Sequence, residues 1–143
     1  MKISIESASV HEYINNIHAI INRMASNSAS AKTWCIALVS ATITFASDKD
    51  KPNAVWMALV PITLFFLIDS YYLGLERRYR DMYNNFVGKL QADSATIKDL
   101  FVLAPTTKEK LLVSIAKAAS SISIWPFYVL IVVMLTILRN WLF

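Results

Sequence analysis

The sequence predicts an all-α integral membrane protein: a transmembrane hairpin, a third C-terminal transmembrane helix and short cytoplasmic helices. Three observations carry this. The 143 residues are 56% hydrophobic with mean hydropathy +0.46, too apolar for an ordinary soluble domain, while the charges gather in blocks. Two glycines and four prolines are too few for turn-rich β architecture but suit long helices. Finally, apolar stretches over 33–47 and 54–75 flank a charged loop, Asp48-Lys49-Asp50-Lys51, so the chain folds back on itself there. The expected layout is an N-terminal amphipathic cytoplasmic helix over 1–30, the hairpin over 31–76, a cytoplasmic helical region over 77–121 and the third crossing over 122–143.

The first element follows from Val10, Tyr13, Ile14, Ile17, Ile20, Ile21 and Met24, which recur at three- and four-residue steps and mark one helix face. Glu12, Asn15, Asn16, Asn22 and Arg23 take the other face. Its amides, rather than lysines, favour packing within the chain or between subunits over lying on an anionic bilayer, although both remain open. Residues 26–30 are small and polar and read as a break. The run over 33–47 is about 15 residues, short of the roughly 20 that cross a hydrocarbon core, but Lys32 can snorkel and the helix can extend backwards. The run over 54–75 is long enough unaided. Pro61 inside it removes a backbone hydrogen bond, giving either a tolerated bend or a hinge.

Beyond Leu75 the helical pattern continues as an amphipathic stalk, with Glu76, Arg77, Arg78, Arg80 and Asp81 interleaved with Tyr79, Met82, Tyr83, Phe86, Val87 and Leu90. A short helix is expected over 94–103 and ends at Ala104-Pro105. Thr106-Thr107-Lys108-Glu109 is a capping box that starts another helix reaching about residue 121. Trp125-Pro126 opens the third apolar run, with proline near the first turn and tryptophan at interface level. Residues 1–9 continue into polar Ser and Glu, unlike a signal peptide, so the apolar segments are expected to be retained.

Mirroring the hairpin about its loop sets Asp69 opposite Lys32. An unpaired charge at the hydrocarbon boundary costs a few kcal/mol, roughly, so a facing acid and base form an intramembrane ion pair. On this register Asp69→Ala alone harms assembly more than removing both charges. The same register brings Glu76 near Arg23. Arg23, Lys32, Arg77, Arg78, Arg80 and Lys89 flank one side of the hairpin, which places the N-terminus in the cytoplasm and, after three crossings of the bacterial inner membrane, the C-terminus outside.

No enzyme constellation, metal set or cofactor motif is present. His11 and His18 share a helix face without a third ligand, the lone Cys35 excludes an internal disulfide, and no phosphate loop or nucleophile elbow occurs. Two clusters remain as candidate sites. Thr33, Ala37, Ser40, Thr44 and Ser47 form a small, hydroxylated stripe that serves either close helix packing or, in a ring of copies, a water-filled path. Arg77, Arg78, Tyr79, Arg80 and Tyr83 combine cations with aromatic faces, suited either to lipid phosphates or to an anionic ligand such as a nucleotide or oligonucleotide.

The segments 20–28 (IINRMASNS), 32–34 (KTW) and 67–81 (LIDSYYLGLERRYRD) resemble small bacterial membrane proteins that accompany anti-phage defence genes. The resemblance covers about residues 10–90. It implies a homo-oligomeric inner-membrane effector that a cytoplasmic partner protein or nucleotide signal releases to open or perturb the membrane. The alternative is a non-conducting anchor that recruits a soluble partner through residues 94–121, using the face Leu111, Leu112 and Ile115.

Overall fold

A computed structural model describes residues 7–46, 52–105 and 110–142. Its helices are α1 (Ala8–Ala46), α2 (Leu59–Gln91), α3 (Leu111–Ala119) and α4 (Trp125–Leu142), with 3-10 helices over Pro52–Ala58 and Ile97–Phe101. The described residues contain no strand. One helical stretch, Asn53–Gln91, is long and apolar enough to cross a membrane, and a shorter apolar helix covers Trp125–Trp141. The charged loop at 48–51, the end of the hydroxyl stripe at Ser47 and the expected capping box at 106–109 lie outside the described residues.

α1 runs unbroken through 26–30, where the sequence suggested a joint. Between Ala8 and Ala46 there is neither glycine nor proline, so nothing in the backbone forces an end. The serines do not compete with the helix, because Ser28 turns inward to a partner on α2. Thr33 Oγ1 returns a hydrogen bond to its own helix at the Ala29 carbonyl, 3.3 Å away.

α2 likewise continues from the apolar run into the expected stalk. Pro61 sits in the first turn of α2, inside the longer helical stretch Asn53–Gln91. The segment before it, Pro52–Ala58, is wound as a 3-10 helix. In that winding a carbonyl is taken by the residue three positions on, so the Met57 carbonyl does not need the N–H that Pro61 lacks.

α1 and α2 lie antiparallel along their whole length. The His18 ring meets Tyr83 at 4.7 Å, Tyr13 meets Phe86 edge-on at 4.6 Å, and Lys32 meets Asp69 at 2.5 Å. Two separate apolar cores result. The basal core joins Val10, Tyr13, Ile17 and Ile21 to Met82, Phe86 and Leu90. Around it the outer faces are polar, with Glu12, Asn15, Asn16, Asn22, Asn84 and Asn85 exposed. The upper core joins Cys35 and Val39 to Val55, Ala58 and Ile62, and to Ile124, Tyr128 and Leu135. There the outer faces are apolar instead: Trp34, Leu38 and Phe45 of α1, Val60, Leu64 and Leu67 of α2, and Leu130, Met134 and Ile137 of α4 are all exposed.

α4 closes the upper core by running antiparallel to α2. At its start Trp125 and Tyr128 pack on Phe66, with ring centroids 6.1 and 5.4 Å away. At its end Arg139 lies 5.5 Å over the Trp56 ring and donates to Asn53 Oδ1 at 3.4 Å. α3 crosses α2 at Gly74, where an added Cβ would stand 3.2 Å from the Ile115 Cα and 3.3 Å from the Ser114 carbonyl oxygen. A Cβ there would press the two backbones apart by a few tenths of an ångström, so glycine suits the crossing.

The base is closed by the chain after α2. Asp93 takes a left-handed φ of 51°, and Ser94 N–H returns to the Lys89 carbonyl at 2.9 Å, which ends the helix. Where a short helix over 94–103 was expected, a 3-10 turn forms. Its cap is Thr96, whose N–H and hydroxyl both donate to Asp99 Oδ2 at 2.8 Å. Lys89 Nζ donates to Asp99 Oδ1 at 2.5 Å, and the Tyr13 hydroxyl donates to the Val102 carbonyl at 2.5 Å. The Lys89 hydrogen bond, then the Thr96 amide, hold the Asp99 carboxyl down at about 2, against the opposing effect of burial. Burial first, and Asp99 second, push the Tyr13 phenol up.

The two glycines should respond oppositely. Gly88 has open space around it, so Gly88→Ala should raise helix stability by about 0.5–1 kcal/mol. Gly74→Leu should instead dislodge α3, costing about 1–3 kcal/mol or more as an overpacked contact. Thermal melts of both variants in detergent would check this.

The Asp99 latch should also respond to acid. Because its folded value is depressed, its contribution is complete above the ordinary aspartate value of about 4 and lost as pH falls through about 2. Amide exchange at 97–102 should accelerate over that window in the native protein and not in Asp99→Asn.

Candidate functional site

The charges read from the sequence meet where α1, α2 and α4 converge. Asp69 is fully buried, at 0% exposure, although it sits in an otherwise apolar part of α2. Helix spacing supplies its partners: Ser28 and Lys32 are four residues apart on α1 and so share the face turned to α2. Ser28 Oγ donates to Asp69 Oδ1. Lys32 Nζ stands 2.5 Å from Asp69 Oδ2, an ion pair whose direction falls outside hydrogen-bond geometry. Lys32 Nζ also donates to Ser28 Oγ at 3.4 Å. The three side chains form a closed triangle between the two cores.

α4 supplies the remaining wall. The Lys32 ammonium lies 6.0 Å from the centre of the Phe127 ring. The Tyr128 hydroxyl is buried beside the Asp69 carboxylate and feels its charge, yet it lies outside hydrogen-bond geometry. Lys32 keeps 24% of its side chain exposed while Asp69 keeps none. The ion pair is therefore one-sided: the cation has a path to solvent and the carboxylate does not. Such a layer can fix register and hold a charge away from solvent.

The hydroxyl stripe lies elsewhere. Thr33, Ala37, Ser40 and Thr44 are all exposed on the side of α1 opposite Ala31, Cys35 and Val39. Thr44 Oγ1 donates to the Ser40 carbonyl at 2.9 Å, so this hydroxyl is satisfied within its own helix. Neither the α1–α2 contact nor the interior of a single chain uses the stripe.

The Arg/Tyr block does not converge. Tyr79 and Tyr83 pack against the basal core. Arg77 Nη2 donates to Ser121 Oγ at 2.6 Å, which ties α2 to the end of α3. Arg80 Nε donates to Glu76 Oε1 at 2.8 Å one turn away, so Glu76 meets Arg80 and not Arg23. Arg78 is half-buried. His11 Nδ1 donates to the Ser7 carbonyl at 3.2 Å, and the His18 ring packs at a tilt against Tyr83.

Ser28, Tyr128 and the Thr96–Asp99–Lys89 cluster are the polar groups that the sequence reading passed over. Ser28 was legible as the residue one turn before Lys32, but it sits in a small polar run that resembles a linker. Thr96-x-x-Asp99 is a capping pattern in its own right. No known protein family, curated protein or solved structure matches the chain.

Because Asp69 has no path to solvent, Lys32→Ala should be the most damaging change in the layer. Breaking a buried pair from one side costs about 3–5 kcal/mol. Asp69→Asn keeps an acceptor for Ser28 and leaves a lysine that can reach solvent, so it should cost clearly less. Comparison of the two melting temperatures in one detergent would decide, and equal losses would argue against the one-sided pair.

Proposed function

We propose that this protein is an integral, three-crossing helical subunit of a homo-oligomeric membrane effector in the bacterial inner membrane, acting as a channel or membrane-perturbing element under cytoplasmic control. The observation that carries the membrane assignment is the change of surface at the Ser28–Lys32–Asp69 layer. Below it the helix pair is clothed in amides and charges; above it α1, α2 and α4 all turn large apolar side chains outward. Only 28% of the apolar window in the Asn53–Gln91 stretch is buried, whereas the core helix of a water-soluble protein is mostly buried.

Dimensions support the same reading. At about 2.0 Å per 3-10 residue and 1.5 Å per α residue, the stretch from Asn53 to Asp69 spans roughly 28 Å, close to the hydrocarbon thickness of about 30 Å. The four tryptophans fall at its two edges. Trp34 and Trp125 lie near the polar layer, and Trp56 lies with Arg139, two residues before Trp141, at the far end. The cationic base supports a cytoplasmic N-terminus, and three antiparallel segments leave the C-terminus outside.

Oligomerisation is supported by the outward stripe. A helix face of Thr33, Ala37, Ser40 and Thr44, exposed on an otherwise apolar surface, suits close approach to a second copy of α1. The defence setting is supported by the resemblance of 20–28, 32–34 and 67–81. A second reading, a non-conducting anchor for a soluble partner, is favoured by Phe101 and Leu103, exposed at the base far from the apolar belt. The face first considered for that role is divided, since Ile115 packs at Gly74 while Leu112 points away.

Planar-bilayer recordings combined with the mass of the purified protein in detergent test the proposal. Discrete currents from a defined oligomer are expected. Ser40→Ala with Thr44→Ala should alter conductance or weaken association by about 0.6 kcal/mol per lost interhelical hydrogen bond, roughly threefold each in the association constant. A silent monomer indifferent to both changes would defeat the effector reading and leave the anchor.

A further inference from the structure

α3 is built inside out. It turns Ser114 and Ala118 toward α2 and Leu111, Leu112 and Val113 outward, with Leu112 77% exposed; just beyond it Ile122 is 88% exposed. In water this arrangement wastes the aliphatic side chains, whereas beside a bilayer it places them correctly. The position is fixed by contacts, because α3 is held to α2 at Gly74 and the following turn is held by Arg77 on Ser121. Gly74 lies five residues beyond Asp69, about 8 Å along the helix, which is the depth at which an amphipathic helix rests among headgroups. Charge points the same way: residues 110–143 carry Lys110, Lys117 and Arg139 and no aspartate or glutamate.

We propose that α3 and the turn after it form an interfacial helix seated on an anionic phospholipid surface, with Leu112 and Ile122 in the acyl boundary and Lys110, Lys117 and Arg77 among the phosphates. The inference rests on the membrane reading and names the partner of a helix that reading leaves unassigned. Lipid rather than a soluble protein is the occupant because the face is continuous with the apolar belt: Ile122 leads directly to Trp125 and on to the exposed side of α4.

The test uses the full chain with Cys35→Ala, reconstituted in vesicles of phosphatidylcholine alone or mixed with phosphatidylglycerol. Single cysteines at Leu112→Cys, Phe101→Cys and Val133→Cys carry an environment-sensitive dye, read with aqueous iodide and with lipids spin-labelled at shallow and deep positions. The dye at 112 should be shielded from iodide several-fold relative to 101, respond to the shallow lipid label, and be more protected in anionic vesicles. Lys110→Gln and Lys117→Gln should each weaken that protection about fivefold. A dye at 112 as aqueous as that at 101, with 133 still quenched by deep lipid labels, would overturn the interfacial helix and leave the membrane reading standing. Shielding from iodide without response to any lipid label would also overturn it, because a protein surface would then cover the helix. An aqueous dye at 133 would overturn both.

Discussion

A carboxylate with no exposed surface, placed between two apolar cores, is the constraint on which this structure depends. A carboxylate buried there needs a cation and a hydrogen-bond donor, and α1 supplies both one turn apart as Lys32 and Ser28. Meeting that need sets the axial position of α1 against α2. It also brings α4 alongside, since Phe127 and Tyr128 complete the enclosure on the third side. The layer marks the boundary between two kinds of surface as well. On one side polar groups face out and apolar groups face in; on the other the exterior carries large apolar side chains and small hydroxyls.

Much of this was legible in the sequence, because it depended on periodicity and on a mirror. The Val10 to Ile21 face lies in the basal core, the apolar runs lie on paired helices over 33–46 and 59–75, and the stalk continues past Leu75 without interruption. The Lys32–Asp69 juxtaposition follows from reflecting one run on the other, and His18 with Tyr83 obeys the same reflection. Illegible features were those in which composition and context disagreed. Ser26 to Ser30 has the makeup of a linker, but Ser28 has a buried partner and the surrounding alanines favour helix. Pro61 looked interior because the apolar run begins earlier than the α-helix does, and periodicity does not separate 3-10 from α winding at a helix start. The Arg/Tyr block looked like a site because its residues are adjacent in sequence, yet on a helix adjacent residues point in different directions, and these go to Ser121, Glu76 and the basal core.

The exposed stripe on α1 and the inverted polarity of α3 share a physical basis. Within a helix, serine and threonine hydroxyls can return a hydrogen bond to the preceding turn, as Thr33, Thr42, Thr44 and Thr63 do at distances of 2.8–3.3 Å. A hydroxyl so satisfied costs little in an apolar setting and can still accept from a neighbouring helix, which its small size lets come close. On α3 the same property is used inward. Ser114 and Ala118 permit the close crossing at Gly74, and the larger side chains are left outside.

Register shows why a polar layer stands where a larger apolar core could have been. The inward positions of α1, including Val10, Tyr13, Ile17, Ile21 and Met24, repeat at three- and four-residue steps, and Met82, Phe86 and Leu90 of α2 repeat at four. A slip of one turn, about 5.4 Å, would set similar side chains against similar side chains and change apolar burial little. The upper core is no more selective, since Cys35, Val39, Val55 and Ala58 are all small or medium in size. The polar layer is not degenerate in this way. A slip of one turn would leave Asp69 with one of its two partners and replace the other by Ile36 or by Met24, neither of which can meet a carboxylate. A stranded buried charge costs several kcal/mol, about 3–5 where a pair is broken from one side. That difference exceeds what the apolar contacts distinguish, so the alignment of both cores is decided by one aspartate and the two side chains that answer it.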